Sequence, residues 1–333
     1  MNFKSIVFVA VSSLLLVGCS ATPKKDETKE KDLKKITFVL DWTPNTNHTG
    51  LYVAKEKGYY QEMGLDVEIV QPSDDSASMI VANGKADFGI TAQDSMAPNF
   101  ATKKPLPITA VATILQHNTS GIMSRKGEGM NQPKGMEGKV YATWDSPVEQ
   151  AMIKDVMKKD GADFDKVKLV PNTIVDEAMA LKQKQVDSLW VFYGWGGIMS
   201  EIDKVPVDMF YFKDLNPKFD YYTPVIISNE KFLKDNEKTA KDFLTATAKG
   251  YEDAIENPDQ ASEILIEHVP EINADLVKKS QKWMVAQYKA DEKRWGYIDP
   301  ERWNAFYQWL GDENLVEQAI PKDTGFTNQY LGE

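Results

Sequence analysis

A single cysteine, Cys19, in a chain of 333 residues excludes an internal disulfide and any multi-cysteine metal cluster. Histidine is nearly as scarce. His48, His117 and His268 are scattered and suggest no histidine metal site. Positive charge is also short: 39 lysines and arginines stand against 50 acidic residues, a formal net charge of -11. Binding a nucleic-acid backbone calls for a basic stripe, so that partner class is set aside. Beyond the N-terminus no apolar run is long enough to span a bilayer. Glycines do cluster at 194–197, but without the spacing and lysine of a phosphate-cradling loop. Neither a cofactor nor a metal is expected. What remains, 42% hydrophobic and 27% charged residues, is ordinary globular composition over a length that suits two domains.

The N-terminus is the first positive signal. Lys4 precedes the apolar runs 6–11 and 14–17. A charged start, a short apolar stretch and small residues describe a secretory signal over residues 1–18. Leu16-Val17-Gly18-Cys19 is similar to the bacterial lipoprotein box, which implies cleavage before Cys19 and attachment of acyl chains, palmitate among them, to it. Several acyl chains would hold the mature chain on the extracytoplasmic face of the cell membrane. The competing reading is a plain signal with an incidental cysteine. Residues 19–34 are dominated by lysine, aspartate and glutamate and read as a flexible tether.

From residue 35 the chain echoes itself. Residues 36–40 read as a strand, followed by Asp41-Trp42-Thr43-Pro44 and a helix. Residues 139–143 read as a strand, followed by Trp144-Asp145-Ser146-Pro147 and a helix. Thr43 and Ser146 are placed as N-caps, with Pro44 and Pro147 at the first helical position. A strand follows in each half, at 65–70 and 167–170. Each half then has a helix end, a turn and an aspartate, Asp87 or Asp187, entering an apolar strand. The predicted fold class is α/β, with two βαβαβ lobes joined by two crossover segments. Lobe 1 takes residues 35–120 and 223–333, including the C-terminal helices, and lobe 2 takes 121–222. Two crossings are what a hinge needs. In the last helix Trp303, Phe306, Tyr307 and Leu310 recur at helical spacing, a packing stripe.

In open α/β sheets ligands bind at the carboxyl ends of the strands. The loop 41–50 offers Trp42 as a stacking ring. Asp41 either accepts from a ligand amino group or caps its own loop. Asn45 and Asn47 suit the local backbone, and His48 suits a structural role rather than that of a base. Gln93, in the loop after the strand 88–90, can read an amide or a ring nitrogen. Asn118 sits at the first crossover, between the lobes. On the second lobe Tyr193 and Trp195 leave a strand end together, flanked by glycines. Trp144 is either core or pocket. Glu149 either reaches a ligand or serves only the helix dipole. Of Tyr221 and Tyr222 at the return crossing, one is expected at the cleft, and Tyr222 is taken as the candidate.

The segments 41–54, 84–90, 116–121, 219–226 and 325–331, together with the lipobox and tether, resemble the formylaminopyrimidine-binding lipoproteins of thiamin-precursor ABC importers. The resemblance implies a two-lobed periplasmic-binding-protein fold of the second type. It implies a pyrimidine, N-formyl-4-amino-5-aminomethyl-2-methylpyrimidine or a close relative, held between aromatic rings and bonded by asparagine and carboxylate groups. By position it points to Asp41, Trp42, Asn118, Tyr193 and Trp195, and then to Gln93 and Glu149. It implies a monomer that serves the transmembrane permease subunits and does no chemistry on its ligand. Some members carry an acidic residue where this chain has Gly196, which leaves the partner of the ligand amino group open. A fungal thiamin-pyrimidine synthase shares the fold and pattern. Its lysine and histidine after the Gly-Lys-x-Asp strand fall on Thr91 and Ser95 here, and its cysteine cluster falls near Tyr221 and Tyr222. That leaves no amine for a Schiff base. Binding proteins of the same fold for riboflavin, sulfonates or nitrate are the third reading. Oxyanions call for arginines or helix N-termini, and Arg125 is the only arginine near a cleft loop.

Overall fold

The computed structural model describes residues 33–73 and 75–332. The signal segment, Cys19 and the tether through residue 32 lie outside the described residues. Ten strands run β1 (Lys34–Val39), β2 (Leu65–Val70), β3 (Phe88–Thr91), β4 (Ile108–Thr113), β5 (Ser120–Arg125), β6 (Val140–Thr143), β7 (Lys168–Pro171), β8 (Ser188–Phe192), β9 (Val207–Tyr211) and β10 (Val225–Asn229). They form two five-stranded sheets with the same plan, β2-β1-β3-β10-β4 and β7-β6-β8-β5-β9. In each sheet three parallel strands come from a βαβαβ run, and the fourth is an antiparallel strand that arrives across the hinge. Thus β10 joins the first sheet after the chain has built the second. Lys34, read as the end of the tether, is already in β1 and pairs with Leu65.

The apolar pattern explains the layers. β3 and Ile36–Val39 of β1 are almost wholly buried, as expected for strands covered on both faces, while Lys34 and Lys35 at the start of β1 are exposed. The two aspartates that enter strands do the same work in each half. Asp87 accepts from the main-chain N–H of Thr37 at 2.9 Å, and Asp187 accepts from that of Val140 at 2.8 Å. Each carboxylate therefore takes up a main-chain donor of the neighbouring strand.

The helices Thr49–Glu56 and Glu237–Glu256 cross closely at Gly50 and Gly250. A Cβ on Gly250 would lie 2.1 Å from the carbonyl oxygen of Gly50, so only glycine fits. The chain passes between sheets at residues 114–119 and again at 212–224. These crossings are bonded to each other. The N–H of Ile114 donates to the carbonyl of Pro224 at 3.0 Å, and that of Asn118 to Asp220 at 2.8 Å. Helix Pro300–Asp312 starts at Pro300 with Asp299 accepting from the Arg302 N–H at 2.8 Å. It backs the second crossing, with Phe306 stacked on Tyr221 at 4.3 Å. Trp303, Phe306, Tyr307 and Leu310 are all buried, as a packing stripe requires. The tail lies on the first sheet, where Thr327 donates to Ala110 at 2.8 Å. No helix among the described residues is long and apolar enough to cross a membrane.

Candidate ligand-binding cleft

Between the two sheets lies a cleft of about 430 Å³. Its first wall is the loop after β1, and that loop is built rigidly. The expected cap does not form: Thr43 and Pro44 precede the helix instead of starting it. Asn45 caps a 3₁₀ turn, Thr46–His48, and the α-helix begins only at Thr49. The reason is His48. Its Nδ1 accepts from the Asn45 main-chain N–H at 3.1 Å, so Nε2 carries the proton and donates to Asp41 Oδ1 at 3.0 Å. The C-terminal helices pin the rest. Tyr288 donates to the carbonyl of Thr46 at 2.6 Å, and Tyr251 to that of Asn47 at 2.7 Å. Asn45 is spent on its own loop, donating to Thr43 and accepting from Asn47. What the loop leaves free is Trp42, 57% exposed beside the oriented Asp41.

The second wall is aromatic. Trp144, Trp190, Phe192 and Trp195 all line the cleft, and Trp144 is 52% exposed. Here the expected cap does form. Helix Pro147–Lys159 starts at Pro147 with Ser146 as N-cap. Glu149 is buried in that cap and fully occupied. It accepts from Tyr141 at 2.5 Å, from Thr143 at 2.9 Å, and from the main-chain N–H groups of Trp144 and Ser146. It lines the cleft, but its hydrogen bonds hold the Trp144 loop in place.

Of the eight candidate ligand residues, Asp41, Trp42, Glu149 and Trp195 lie on the cleft. The other four are spent elsewhere. Gln93 is buried, donating to the carbonyl of Trp303 at 2.8 Å and accepting from the Tyr222 N–H at 2.9 Å. Asn118 is buried in the hinge, donating to Phe219 and accepting from Ser120. Tyr193 turns outward, where its hydroxyl donates to Glu201 and its ring meets Trp283 at 5.3 Å. Tyr222 accepts from the Asp299 N–H at 2.8 Å and lies under the Arg302 guanidinium at 4.6 Å. Its neighbour Tyr221 lines the cleft instead. Arg125 is far from any ligand role. It pairs with Glu128 and Asp187 and donates to the carbonyl of Val186 at 2.6 Å.

Residues 45–261 match the family model described as NMT1/THI5 like. The chain belongs to the NMT1/THI5-like family. One similar relative is the formylaminopyrimidine-binding protein of Halalkalibacterium halodurans, 26% identical over 98% of both chains. Another is the 4-amino-5-hydroxymethyl-2-methylpyrimidine phosphate synthase THI11 of Saccharomyces cerevisiae, 25% identical over 89% of this chain and 88% of that one. Among solved structures, the periplasmic aliphatic sulphonate binding protein SsuA of Escherichia coli superposes with a TM-score of 0.64 at 12% identity, covering 86% of this chain and 90% of that one. This member of the NMT1/THI5-like family therefore has the α/β periplasmic-binding-protein-like fold.

Two residues of this NMT1/THI5-like chain escaped the sequence reading. Asp94 and Trp190 both line the cleft, and each has a buried polar atom without a hydrogen-bond partner, Oδ1 of Asp94 and Nε1 of Trp190. Burial pushes the Asp94 carboxyl above its ordinary range, against its own N–H and that of Ser95, which hold it down. A signal was available for Asp94, as an acidic residue in the loop after an apolar strand. Trp190 gives none, since it reads as one more apolar residue of β8.

Proposed function

We propose that this protein is an extracytoplasmic solute-binding lipoprotein. It captures a thiamin pyrimidine precursor, N-formyl-4-amino-5-aminomethyl-2-methylpyrimidine or a close relative, and delivers it to an ABC importer. The observation that carries the reading is the cleft, with an indole and oriented polar groups on one wall and an aromatic cluster on the other. Flat apolar faces supply affinity for a heterocycle, and a few placed polar groups set its orientation. The relative named for formylaminopyrimidine binding, which matches over nearly the whole chain, supports the same ligand class. Closure of the lobes would exclude water, strengthen the hydrogen bonds around the ligand and present a changed outer surface to the permease. Acylation at Cys19 would hold the protein on the membrane as a monomer. A Cys19→Ser variant is then expected in the soluble fraction.

Ligand capture is preferred to synthesis on one ground. Among the described residues no lysine or histidine lines the cleft, so neither an amine for covalent attachment nor an imidazole base is present. Arginine is also missing from that lining, which disfavours a sulfonate or nitrate as ligand. The test is calorimetric titration with formylaminopyrimidine, hydroxymethylpyrimidine, thiamin and riboflavin, followed by recovery of the ligand. The expected result is saturable binding of a pyrimidine at about micromolar affinity or tighter, with the ligand recovered unchanged. Riboflavin binding alone would move the reading to another flat heterocycle, and a converted ligand would move it to an enzyme.

A further inference from the structure

The two unpartnered atoms at the cleft carry an inference of their own. Buried polar atoms are nearly always bonded, and each one left open calls for an explanation. Among the described residues, most orphaned side-chain atoms lie away from the cleft, on residues such as Gln116, Ser188 and Trp309. Only Asp94 and Trp190, among the described residues, combine an unpartnered buried atom with a place in the cleft lining. They come from opposite walls and are opposite in kind. Asp94 lies in the first turn of helix Gln93–Phe100 on the first lobe, while Trp190 is in β8 of the second. An indole N–H can only donate, whereas a carboxylate only accepts and a neutral carboxyl does both.

We propose that Asp94 and Trp190 are the specificity pair of the cleft. The Asp94 carboxyl bonds an amino group on the ligand, and the Trp190 indole N–H donates to a ring nitrogen or carbonyl oxygen of the same ligand. The assignment rests on the reading of the cleft as a heterocycle site and names which edge of the heterocycle is read. An amino group beside a ring nitrogen presents a donor and an acceptor side by side. A neutral carboxyl is complementary to that edge, and a carboxylate is complementary to it once the ring nitrogen is protonated. A carboxylate needs an N–H on the ligand, and a neutral carboxyl is fully satisfied only where a ligand N–H stands beside an acceptor, so a flat molecule with acceptors alone leaves Asp94 short of at least one bond. The groups that face Asp94 permit the neutral form. Tyr221 from the second crossing and Tyr307 from the C-terminal helix are buried phenols near enough to feel its charge. Asp41 and Glu149, the other two carboxyl groups of the cleft lining, already have partners in His48 and in the Tyr141–Ser146 segment.

The competing account is that Asp94 serves only the start of its helix, where it sits in the first turn. One experiment separates the two. Affinities for formylaminopyrimidine and for its analogue with methyl in place of the 4-amino group are measured on the full-length protein and on Asp94→Ala, Asp94→Asn and Trp190→Phe. Each variant is also melted without ligand. The wild type should prefer the amino ligand by about tenfold or more, as loss of a hydrogen bond to a buried polar group would give. Asp94→Ala should bind both ligands within about threefold of each other. Trp190→Phe should weaken both and keep the preference. Asp94→Asn should melt at or above the wild-type temperature, because an unpartnered carboxyl has been removed. The proposal is overturned if Asp94→Ala keeps the full preference, or if Asp94→Asn melts lower while preserving it. Equal binding of both ligands by the wild type overturns the pair and leaves the cleft reading standing. Binding of neither ligand defeats the cleft reading, and the pair falls with it.

Discussion

The two lobes share one strand plan and present opposite chemistry to the cleft. On the first lobe the loop after β1 is bound down by His48, Tyr251 and Tyr288, and it offers Asp41 and Trp42. On the second lobe the corresponding loop is held by one buried carboxylate, Glu149, and it offers indole rings. The difference shows how one strand plan, used twice, can present two different surfaces. The first wall sets polar groups beside one exposed indole, and the second presents mainly flat aromatic area. Both loops are set by buried hydrogen bonds behind the cleft surface.

That division can be broken most severely by comparing two tryptophans. Trp303→Ala empties a buried site and should cost about 3–5 kcal/mol of stability in denaturant unfolding. Trp42→Ala removes an exposed ring and should change stability by less than about 0.5 kcal/mol. Its cost should appear in titration instead, as a roughly tenfold or greater loss of affinity from lost stacking and burial. Trp144→Ala on the opposite wall should behave in the same way. A stability loss at Trp42 equal to that at Trp303 would contradict the assignment of roles. Next in size is Gln93→Ala, which removes two buried hydrogen bonds behind the first wall. A loss of about 2 kcal/mol in stability is expected, with ligand affinity per folded molecule nearly unchanged.

A subtler contrast lies in the paired aspartates. Burial pushes Asp87 above its ordinary value, opposed by the Thr37 N–H and Lys34. Burial acts on Asp187 as well, but the Val140 N–H and the Arg125 guanidinium outweigh it and hold that carboxyl below its ordinary value. The signs follow from linkage. A lowered carboxyl stabilises the fold at neutral pH, and that stability is lost as pH falls through its folded value. A raised carboxyl favours the fold at low pH, and that contribution is lost as pH rises through its folded value. Asp187→Asn should therefore flatten the acid limb of unfolding midpoint against pH. Asp87→Asn should steepen it. The same direction for both variants would break the contrast.

The smallest expected effect is at the hinge. The Asp220 hydrogen bond, against burial and with help from Asp291, raises the imidazole of His117 despite the nearby Arg302. Its stabilisation is complete below the ordinary histidine value and fades as pH rises through the raised one. His117→Asn should remove that slope from the melting temperature measured between about pH 6 and 9.

Much of this was readable from residues alone. Periodicity placed the strands, and Ser146-Pro147 and Asp299-Pro300 announced their helices because capping is local chemistry. The loops at the cleft were legible, but not the direction of each side chain. Gln93 and Asp94 are adjacent on the first turn of a helix, about 100° apart around its axis, so one turns to the C-terminal helix and the other to the cleft. Tyr221 and Tyr222 differ in the same way along an extended crossing. Thr43-Pro44 misled for a related reason. The partner that sets the loop, His48, becomes decisive only once its two ring nitrogens are placed between Asn45 and Asp41.

The central claim is that a flat nitrogen heterocycle is held between both walls at once. A crystal structure of the protein with formylaminopyrimidine tests it most directly. The account predicts the pyrimidine ring between Trp42 and the aromatic cluster of the second lobe, with ring centroids roughly 4.5–7 Å apart. A ligand bound outside the cleft, or resting on one wall with the other turned away, would contradict it.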